Sequence, residues 1–341
     1  MDNTYDISKI LMTPLLIESK INAIVESGYN RVTSELGCDN VFLIVDDNIF
    51  ELYKDKFNID SKVKFAVPSG EKYKNLQTAE KIAAAMLEAG CDRKTKIVAL
   101  GGGVVGDTAG VVAANYMRGV EWVSVPTTLL AMVDSGIGGK TAVNIGTFKN
   151  MFGAFWMPKK VIICTDFLKT LPDVEWLSGI GEVVKTAVLE PNLWKFIYSN
   201  RNLLMNKDMN FIKQAVESCA KFKEKVTQID FKENGLRRIL NLGHTIGHAL
   251  ESVDGYKLTH GEYVLWGIKH ETNLFEDMIE AAFLKQIRDL LDIVLSGRSD
   301  PHVKHNKTAI DKATQKDKKN EGGKVAYVVP IKTGVIEVVS I

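Results

Sequence analysis

Leu100-Gly-Gly-Gly-Val-Val-Gly106-Asp107, following Ile97-Val-Ala-Leu100, is the stretch on which the fold turns. Ile97–Leu100 is a short, wholly apolar run, the pattern of a strand buried on both faces. Gly101, Gly103 and Gly106 then stand at G-x-G-x-x-G spacing at the mouth of a helical stretch. Lacking a Cβ, they leave the N–H groups of a helix N-terminus open to a diphosphate. Glycines after a strand also serve as a plain tight turn, so this signal alone does not establish a nucleotide site. Nor is this the first strand of the chain. Val41–Val45 is an earlier buried strand, and Asp46 or Asp47 just beyond it offers a carboxylate to a ribose.

Working outward, Asn75–Gly90 carries Leu76, Ala79, Ile82, Ala83 and Met86 at helical spacing, while Trp122–Val125 and Val161–Cys164 read as further strands. This alternation predicts a mostly parallel sheet with helices on its faces. Beyond Pro172 the three-to-four spacing of apolar residues predicts helices over Val174–Glu190, Asn210–Gln228, Arg237–Ser252, His260–Glu280 and Ala281–Leu295. Lys324–Pro330 and Val335–Val339 predict a hairpin. The sequence thus divides into an α/β domain, residues 1–171, and a mainly α-helical domain, residues 172–341. The polar, lysine-rich stretch 296–323 reads as a connection or a lid.

The composition is that of an ordinary globular protein, and a net charge of +1 disfavours nucleic acid or an anionic membrane surface as partner. No apolar run approaches the roughly 20 residues of a membrane helix. Cys38, Cys91, Cys164 and Cys219 form no C-x-x-C pair, which suits reduced thiols. Met1–Asp6 shows no basic region followed by an apolar stretch, and a cytoplasmic location is expected.

Three histidines, His244, His248 and His260, fall close together. Gly243-His-Thr-Ile-Gly-His248 places two imidazoles four apart on one helix face, a spacing that suits zinc, while the absence of H-E-x-x-H disfavours a metalloprotease. A third ligand must come from elsewhere: His260 in Thr259-His-Gly-Glu262, or Glu182 in Gly179-Ile-Gly-Glu-Val-Val-Lys185. Arg118, Lys140, Lys149, Lys185, Lys223 and Arg237 sit among glycines or near these motifs, and together suggest an anionic substrate carrying carboxylate and phosphate.

Taken in order, Gly101-Gly-Gly-Val-Val-Gly-Asp107, Tyr116-Met-Arg-Gly119, Pro126-Thr-Thr-Leu-Leu-Ala131, Val133-Asp-Ser135, Gly138-Gly-Lys140, Lys149-Asn150, Thr165–Leu171, Gly181-Glu-Val-Val-Lys185, Gly235-Leu-Arg237, Leu240-Asn-Leu-Gly-His-Thr245, Gly247-His-Ala249 and His260-Gly-Glu262 resemble the 3-dehydroquinate synthases among the sugar-phosphate cyclases. The resemblance covers roughly Glu71–Gly267 and Asp317–Pro330. It implies an α/β N-terminal nucleotide-binding domain, a mainly α-helical C-terminal metal-binding domain, and a homodimer. It implies NAD⁺ and a divalent metal, Zn²⁺ or Co²⁺, as cofactors.

The implied metal ligands are Glu182, His244 and His260, with His248 moved to a substrate-phosphate contact. Lys140, Asn150, Lys185, Lys223, Arg237 and Asn241 resemble the family's substrate set. Arg118 resembles a residue that reaches the neighbouring subunit's site, and Lys318 a basic tail residue that approaches substrate. Asp46, Glu71, Lys74, Gly102, Gly103, Val104, Asp107, Thr127, Thr128, Asp134, Lys140, Lys149, Phe167, Thr170, Leu171 and Glu175 resemble its NAD contacts. The implied reaction belongs to the shikimate pathway. It takes 3-deoxy-arabino-heptulosonate 7-phosphate to 3-dehydroquinate through transient NAD oxidation, phosphate elimination, re-reduction and aldol closure. The alternatives are another cyclase, such as an amino-dehydroquinate synthase, or a metal-dependent polyol dehydrogenase. Two departures from the family stand out. The first forty residues do not read as its usual opening hairpin, and Gly181 stands where alanine is commoner, an exchange expected to be harmless.

Overall fold

The computed structural model describes residues 4–12, 22–57, 64–304, 307–315 and 324–341. In chain order the strands are β1 (Thr4–Asp6), β2 (Asn22–Glu26), β3 (Val41–Asp46), β4 (Lys64–Val67), β5 (Lys96–Gly101), β6 (Trp122–Pro126), β7 (Lys140–Ile145), β8 (Phe148–Phe155), β9 (Lys160–Cys164), β10 (Ala326–Lys332) and β11 (Val335–Ser340). The helices are α1 (Ile7–Met12), α2 (Asn30–Leu36), α3 (Asp47–Phe57), α4 (Leu76–Glu88), α5 (Gly103–Asn115), α6 (Asp173–Leu189), α7 (Pro191–Ser199), α8 (Arg201–Met205), α9 (Met209–Ile229), α10 (His244–Val253), α11 (His260–Leu274), α12 (Ala281–Val294), α13 (Pro301–Lys304) and α14 (Lys307–Gln315). They divide into two compact units, one within residues 18–171 and one made of 1–17 with 172–341.

The first unit is built on a parallel sheet with strand order β2-β9-β6-β5-β3-β4. Its central strands are buried along most of their length, as their unbroken apolar runs require. The chain leaves β3 towards β4 but leaves β5 towards β6, so the strand order reverses between β3 and β5. Open α/β sheets bind ligands outside the carboxyl ends of the strands at such a switch point. Helix α4 starts where Asn75 accepts the Thr78 N–H at 2.9 Å, and its Ala79, Ile82 and Met86 join Phe42, Ile44, Ile97 and Trp122 in one core. Helix α5 is apolar almost all round and buried. A Cβ at Gly110 would run into the Thr141 side chain, so this glycine lets β7 pack against the helix.

The antiparallel hairpin β7–β8 was not expected. Gly138-Gly139 and the polar residues that follow read as a loop, and β8 lacks an alternating pattern because much of it is exposed.

The second unit is mainly helical. Its β1-β11-β10 sheet is antiparallel, with Tyr5 opposite Ile336. The sequence reading places all of residues 1–171 in the α/β domain, but β1 joins the edge of the C-terminal hairpin instead. The helix expected over Arg237–Ser252 is broken as well. A 3₁₀ turn covers Leu236–Asn241, Gly243 takes a left-handed φ of 74°, and α10 begins at His244. Apolar spacing runs on across the break, so the sequence does not display it. Part of stretch 296–323 is helical: α14 packs on α10 and buries Ile310 and Thr314, which are four apart.

Glycines set the spacing of the helices that matter below. A Cβ on Gly261 of α11 would strike the Ser178 carbonyl of α6, and one on Gly181 would strike the Gly261 backbone. A Cβ on Gly267 would meet the Gly243 carbonyl, and one on Gly247 the Tyr263 carbonyl at 2.8 Å. The α6–α11 and α10–α11 pairs therefore approach backbone to backbone. A Cβ at Gly181 would push α6 off α11, so the glycine that stands here in place of the family's commoner alanine suits this close packing.

Candidate functional site

The helical unit carries an unusual concentration of buried charge. Glu182 on α6 is fully buried, and its Oε2 lies 2.5 Å from the Nζ of Lys185, one turn on and also buried. A carboxylate taken out of water needs such a partner. Its Oε1 faces two imidazoles, His244 Nε2 at 3.6 Å and His260 Nε2 at 3.3 Å. Ligand atoms about 2.1 Å from a tetrahedral ion lie about 3.4 Å apart, and the carboxylate oxygen stands at about that spacing from each of the two nitrogens. The His244 Nδ1–H donates to the Leu242 carbonyl at 3.1 Å, which leaves Nε2 as the lone-pair nitrogen.

The Glu251 carboxylate lies 3.7 Å from His260 Nδ1, behind the nitrogen that faces Glu182. Burial would lower the basicity of His260, but the Glu182 and Glu251 carboxylates outweigh it and hold its pKa up at about 9. A cation at this site therefore competes with the proton that these carboxylates favour on the ring.

His248 is close by. Its ring centre lies 5.1 Å from that of His244 and 5.8 Å from that of His260, and the three imidazoles offer nitrogens within 4.8 Å of one another. The geometry therefore presents two donor sets, the carboxylate with two imidazoles and the three imidazoles. In the first, the carboxylate oxygen lies 3.6 and 3.3 Å from its two nitrogens.

The same unit places Arg237, Asn241 and Lys223. Asp230 ends α9 and accepts the backbone N–H groups of Asn234, Gly235 and Arg237 at 2.8–2.9 Å. Burial would raise its pKa, but these donors and the Arg237 charge hold it below the usual carboxylate value. The loop is thereby pinned, and Arg237 lies buried with its Nη1 donating to the Phe231 carbonyl at 2.6 Å. The Asn241 amide donates to Glu233 Oε1 at 3.0 Å, and Glu233 holds a left-handed φ of 63°. Glu233 escapes a sequence reading. Its only signals are its place two residues before Gly235-Leu-Arg237 and a conformation no pattern reveals. Lys223 is buried on α9. Glu175 also belongs to this unit, and burial raises its carboxyl pKa. Lys318 lies outside the described residues.

In the sheet unit, Val45 of β3 pairs with Leu100 of β5, so Asp46 and the glycine turn lie side by side at the switch point. Gly102 caps α5 with no side-chain bond, which leaves its N-terminal amides to a ligand. A Cβ would meet Thr128 at 3.0 Å from Gly102 and Ser135 at 3.1 Å from Gly103, so the turn is seated tightly on the segment after β6. That segment carries Thr127, Thr128 and Asp134, and the Thr127 N–H donates to the Gly101 carbonyl at 3.0 Å. Val104 and Asp107 lie in the first turns of α5. The buried Lys74 bonds both Asp107 and Asn150 at 2.6 Å, while Glu71 accepts from Asn144 at 2.8 Å. The turn residues, Lys74 and Asn150 thus form one connected group, with Lys149 beside Asn150 on β8 and Lys140 exposed at the start of β7.

Phe167 is different. Its ring is buried against Tyr29, Tyr53 and Phe57, and Thr170 Oγ1 is bonded to the Tyr53 hydroxyl at 3.0 Å. Leu171 closes the 3₁₀ turn that follows β9. Arg118 is exposed on a strained turn, where both Met117 (φ 47°) and Arg118 (φ 74°) are left-handed.

Fold and site together define a two-unit protein with an open helix N-terminus at the switch point of a parallel sheet, and a helical half built around a carboxylate–imidazole cluster. Residues 64–178 match the family described as 3-dehydroquinate synthase N-terminal, and residues 179–320 the one described as 3-dehydroquinate synthase C-terminal. The 3-dehydroquinate synthase of Alkaliphilus metalliredigens is 39% identical over 311 residues, covering 88% of this chain and 86% of its own. The chain belongs to the 3-dehydroquinate synthase family.

Two solved structures share the fold. The 2-epi-5-epi-valiolone synthase of Streptomyces hygroscopicus subsp. jinggangensis, with NAD⁺ and Zn²⁺ bound, gives a TM-score of 0.81 at 22% identity over 96% of this chain and 94% of its own. A 2-deoxy-scyllo-inosose synthase complexed with carbaglucose-6-phosphate, NAD⁺ and Co²⁺ gives 0.77 at 24% identity over 94% and 93%. Among the described residues, no helix is long and apolar enough to cross a membrane.

Proposed function

We propose that this chain converts 3-deoxy-arabino-heptulosonate 7-phosphate to 3-dehydroquinate and phosphate. The observation that carries the reading is Glu182 Oε1 facing the Nε2 atoms of His244 and His260 at ligand spacing, in a chain 39% identical to a 3-dehydroquinate synthase. Those three side chains would hold the divalent cation, Zn²⁺ or Co²⁺, which supplies Lewis-acid polarisation of substrate hydroxyls when bound. The glycine turn and the α5 N-terminus would hold NAD⁺, which supplies a reversible hydride acceptor, so no net oxidation results. Lys185 neutralises Glu182 and brings a fixed positive charge to that site.

Arg237 is assigned to the substrate carboxylate, since its planar guanidinium pairs with two oxygens where lysine offers a point charge. Asp230 positions it by pinning the 230–237 loop. In the helical unit, His248 is assigned to the phosphate leaving group, stabilising charge as it develops; Lys140 and Asn150 keep the substrate role that the resemblance implies for them. Lys223 and Asn241 complete the polar surround. Arg118 is assigned to the site of a second subunit in a homodimer; its left-handed, exposed turn is the kind of strain that marks functional segments. A cytoplasmic setting fits this reading.

The test is phosphate release with catalytic NAD⁺ and added Zn²⁺ or Co²⁺, using paired substrates with and without the carboxylate. The account expects release from the carboxylate substrate with no NADH accumulating. Stoichiometric NADH would mean a dehydrogenase, and equal turnover of the substrate lacking the carboxylate would mean another cyclase.

A further inference from the structure

Helices α10 and α11 each begin with a histidine assigned to the metal, and each sends a carboxylate back to the start of the other. Glu251 of α10 faces His260. Glu271, three turns along α11, is buried and accepts the Gly243 N–H at 2.8 Å and the Ile246 N–H at 2.9 Å. These amides flank His244 at the first turn of α10, where N–H groups have no partner within the helix. Gly243 itself cannot cap the helix, having no side chain, and it holds the left-handed φ of 74° that aims α10.

Resting on the metal reading above, we propose that Glu271 is a positioning residue for the metal centre: by capping α10 from α11 it fixes the distance between His244 and His260. The two oxygens bracket His244, so the backbone carrying this imidazole is held from both sides. A carboxylate also suits the positive end of the α10 dipole. An amide at this position keeps the shape but turns an N–H towards a backbone N–H. One of the two bonds is then lost, and the start of α10 is released while the helix-packing glycines stay in place. Loss of support behind a ligand weakens metal binding by about 10- to 100-fold in comparable sites.

The test compares wild type, Glu271→Gln and Leu290→Ala, the last a buried residue of α12, an element with no assigned ligand. Cobalt affinity and the visible spectrum of the Co²⁺-loaded protein are read alongside the melting temperature of the metal-free form. Glu271→Gln is expected to bind Co²⁺ at least ten-fold more weakly with a shifted spectrum. Leu290→Ala should melt earlier yet keep wild-type affinity and spectrum. Equal affinity and spectrum in Glu271→Gln and wild type would overturn the proposal, as would equal weakening in both variants. Wild type that takes up no Co²⁺ at Glu182 would sink the metal reading instead. Should the glutamine variant not fold, amide exchange in wild type decides: Co²⁺ should slow exchange at Gly243 and Ile246, and unchanged rates there would refute the role.

Discussion

In the sheet unit, Gly102 and Gly103 stand at the mouth of α5, and what they offer a ligand is bare backbone N–H. In the helical unit, Gly181, Gly247, Gly261 and Gly267 face other backbone, and what they make possible is the convergence of side chains from three helices. The first arrangement needs little beyond a turn and a helix dipole. The second must bury Glu182, Lys185 and Arg237, and each needs a partner set by another element. The nucleotide half is therefore expected to keep its fold on substitution where its turn is open, as at Gly106, while the metal half fails on small changes.

The sharpest way to break this contrast is Glu182→Gln. It removes the charge that faces Lys185 and both imidazoles, and several kcal/mol of transition-state stabilisation should go with it, on the order of 10³ in rate. Phosphate release together with retained metal would check it; near-normal values of both would abolish the contrast. Next comes Arg237→Ala, which should lower turnover by about 10²- to 10³-fold while NAD⁺ affinity, read by fluorescence titration, stays unchanged. Arg237→Lys should rescue little of it.

Gly261→Ala forces a methyl onto the Ser178 carbonyl and should cost about 3 kcal/mol by denaturant unfolding, along with weaker metal binding. A change below 0.5 kcal/mol would mean that the helices give way easily.

On the sheet side the expected effects are smaller. Glu35, buried, bridges Lys96 of β5 and Lys160 of β9 at 2.6 and 2.9 Å. Burial would raise its pKa, but the two ammonium groups more than offset that and hold it below the ordinary glutamate value. A depressed carboxylate stabilises the fold above its unfolded pKa, about 4.3, and that contribution is lost as pH falls through the lower folded value. Glu35→Gln should therefore be less stable by about 1–2 kcal/mol at pH 7, with the gap closing towards pH 3. A gap independent of pH would contradict the ion-pair account. Smallest of all is Gly106→Ala. The space around Gly106 is open and its φ is helical, so the nucleotide-free fold should gain about 0.5–1 kcal/mol while NAD⁺ binds more weakly.

Legibility in the sequence follows the same division. β3, β5, β6 and β9 can be read because strands buried on both faces are continuous apolar runs. α4, α6, α9, α11 and α12 can be read because each keeps an apolar stripe. The hairpin β7–β8 cannot, since exposed Phe148, Met151, Phe152 and Phe155 give it no inward–outward pattern. The pairing of β1 with β11 joins residues more than 300 apart and leaves no local trace. The two histidines four apart are visible at once, but only His244 of that pair belongs to the assigned donor set, and Glu182 lies on another helix, 62 positions before it by sequence number. Glu233 and Glu271 are legible only in three dimensions, because each acts through a bond to a residue that carries the visible motif.

The most direct test of the central claim is anomalous diffraction at the metal edge from crystals grown with Zn²⁺ or Co²⁺. The account predicts one peak bonded to Glu182 Oε1, His244 Nε2 and His260 Nε2 at about 2.0–2.2 Å, with His248 outside the coordination sphere. A peak held by the three histidines with Glu182 turned away, or a peak remote from α6, would contradict it.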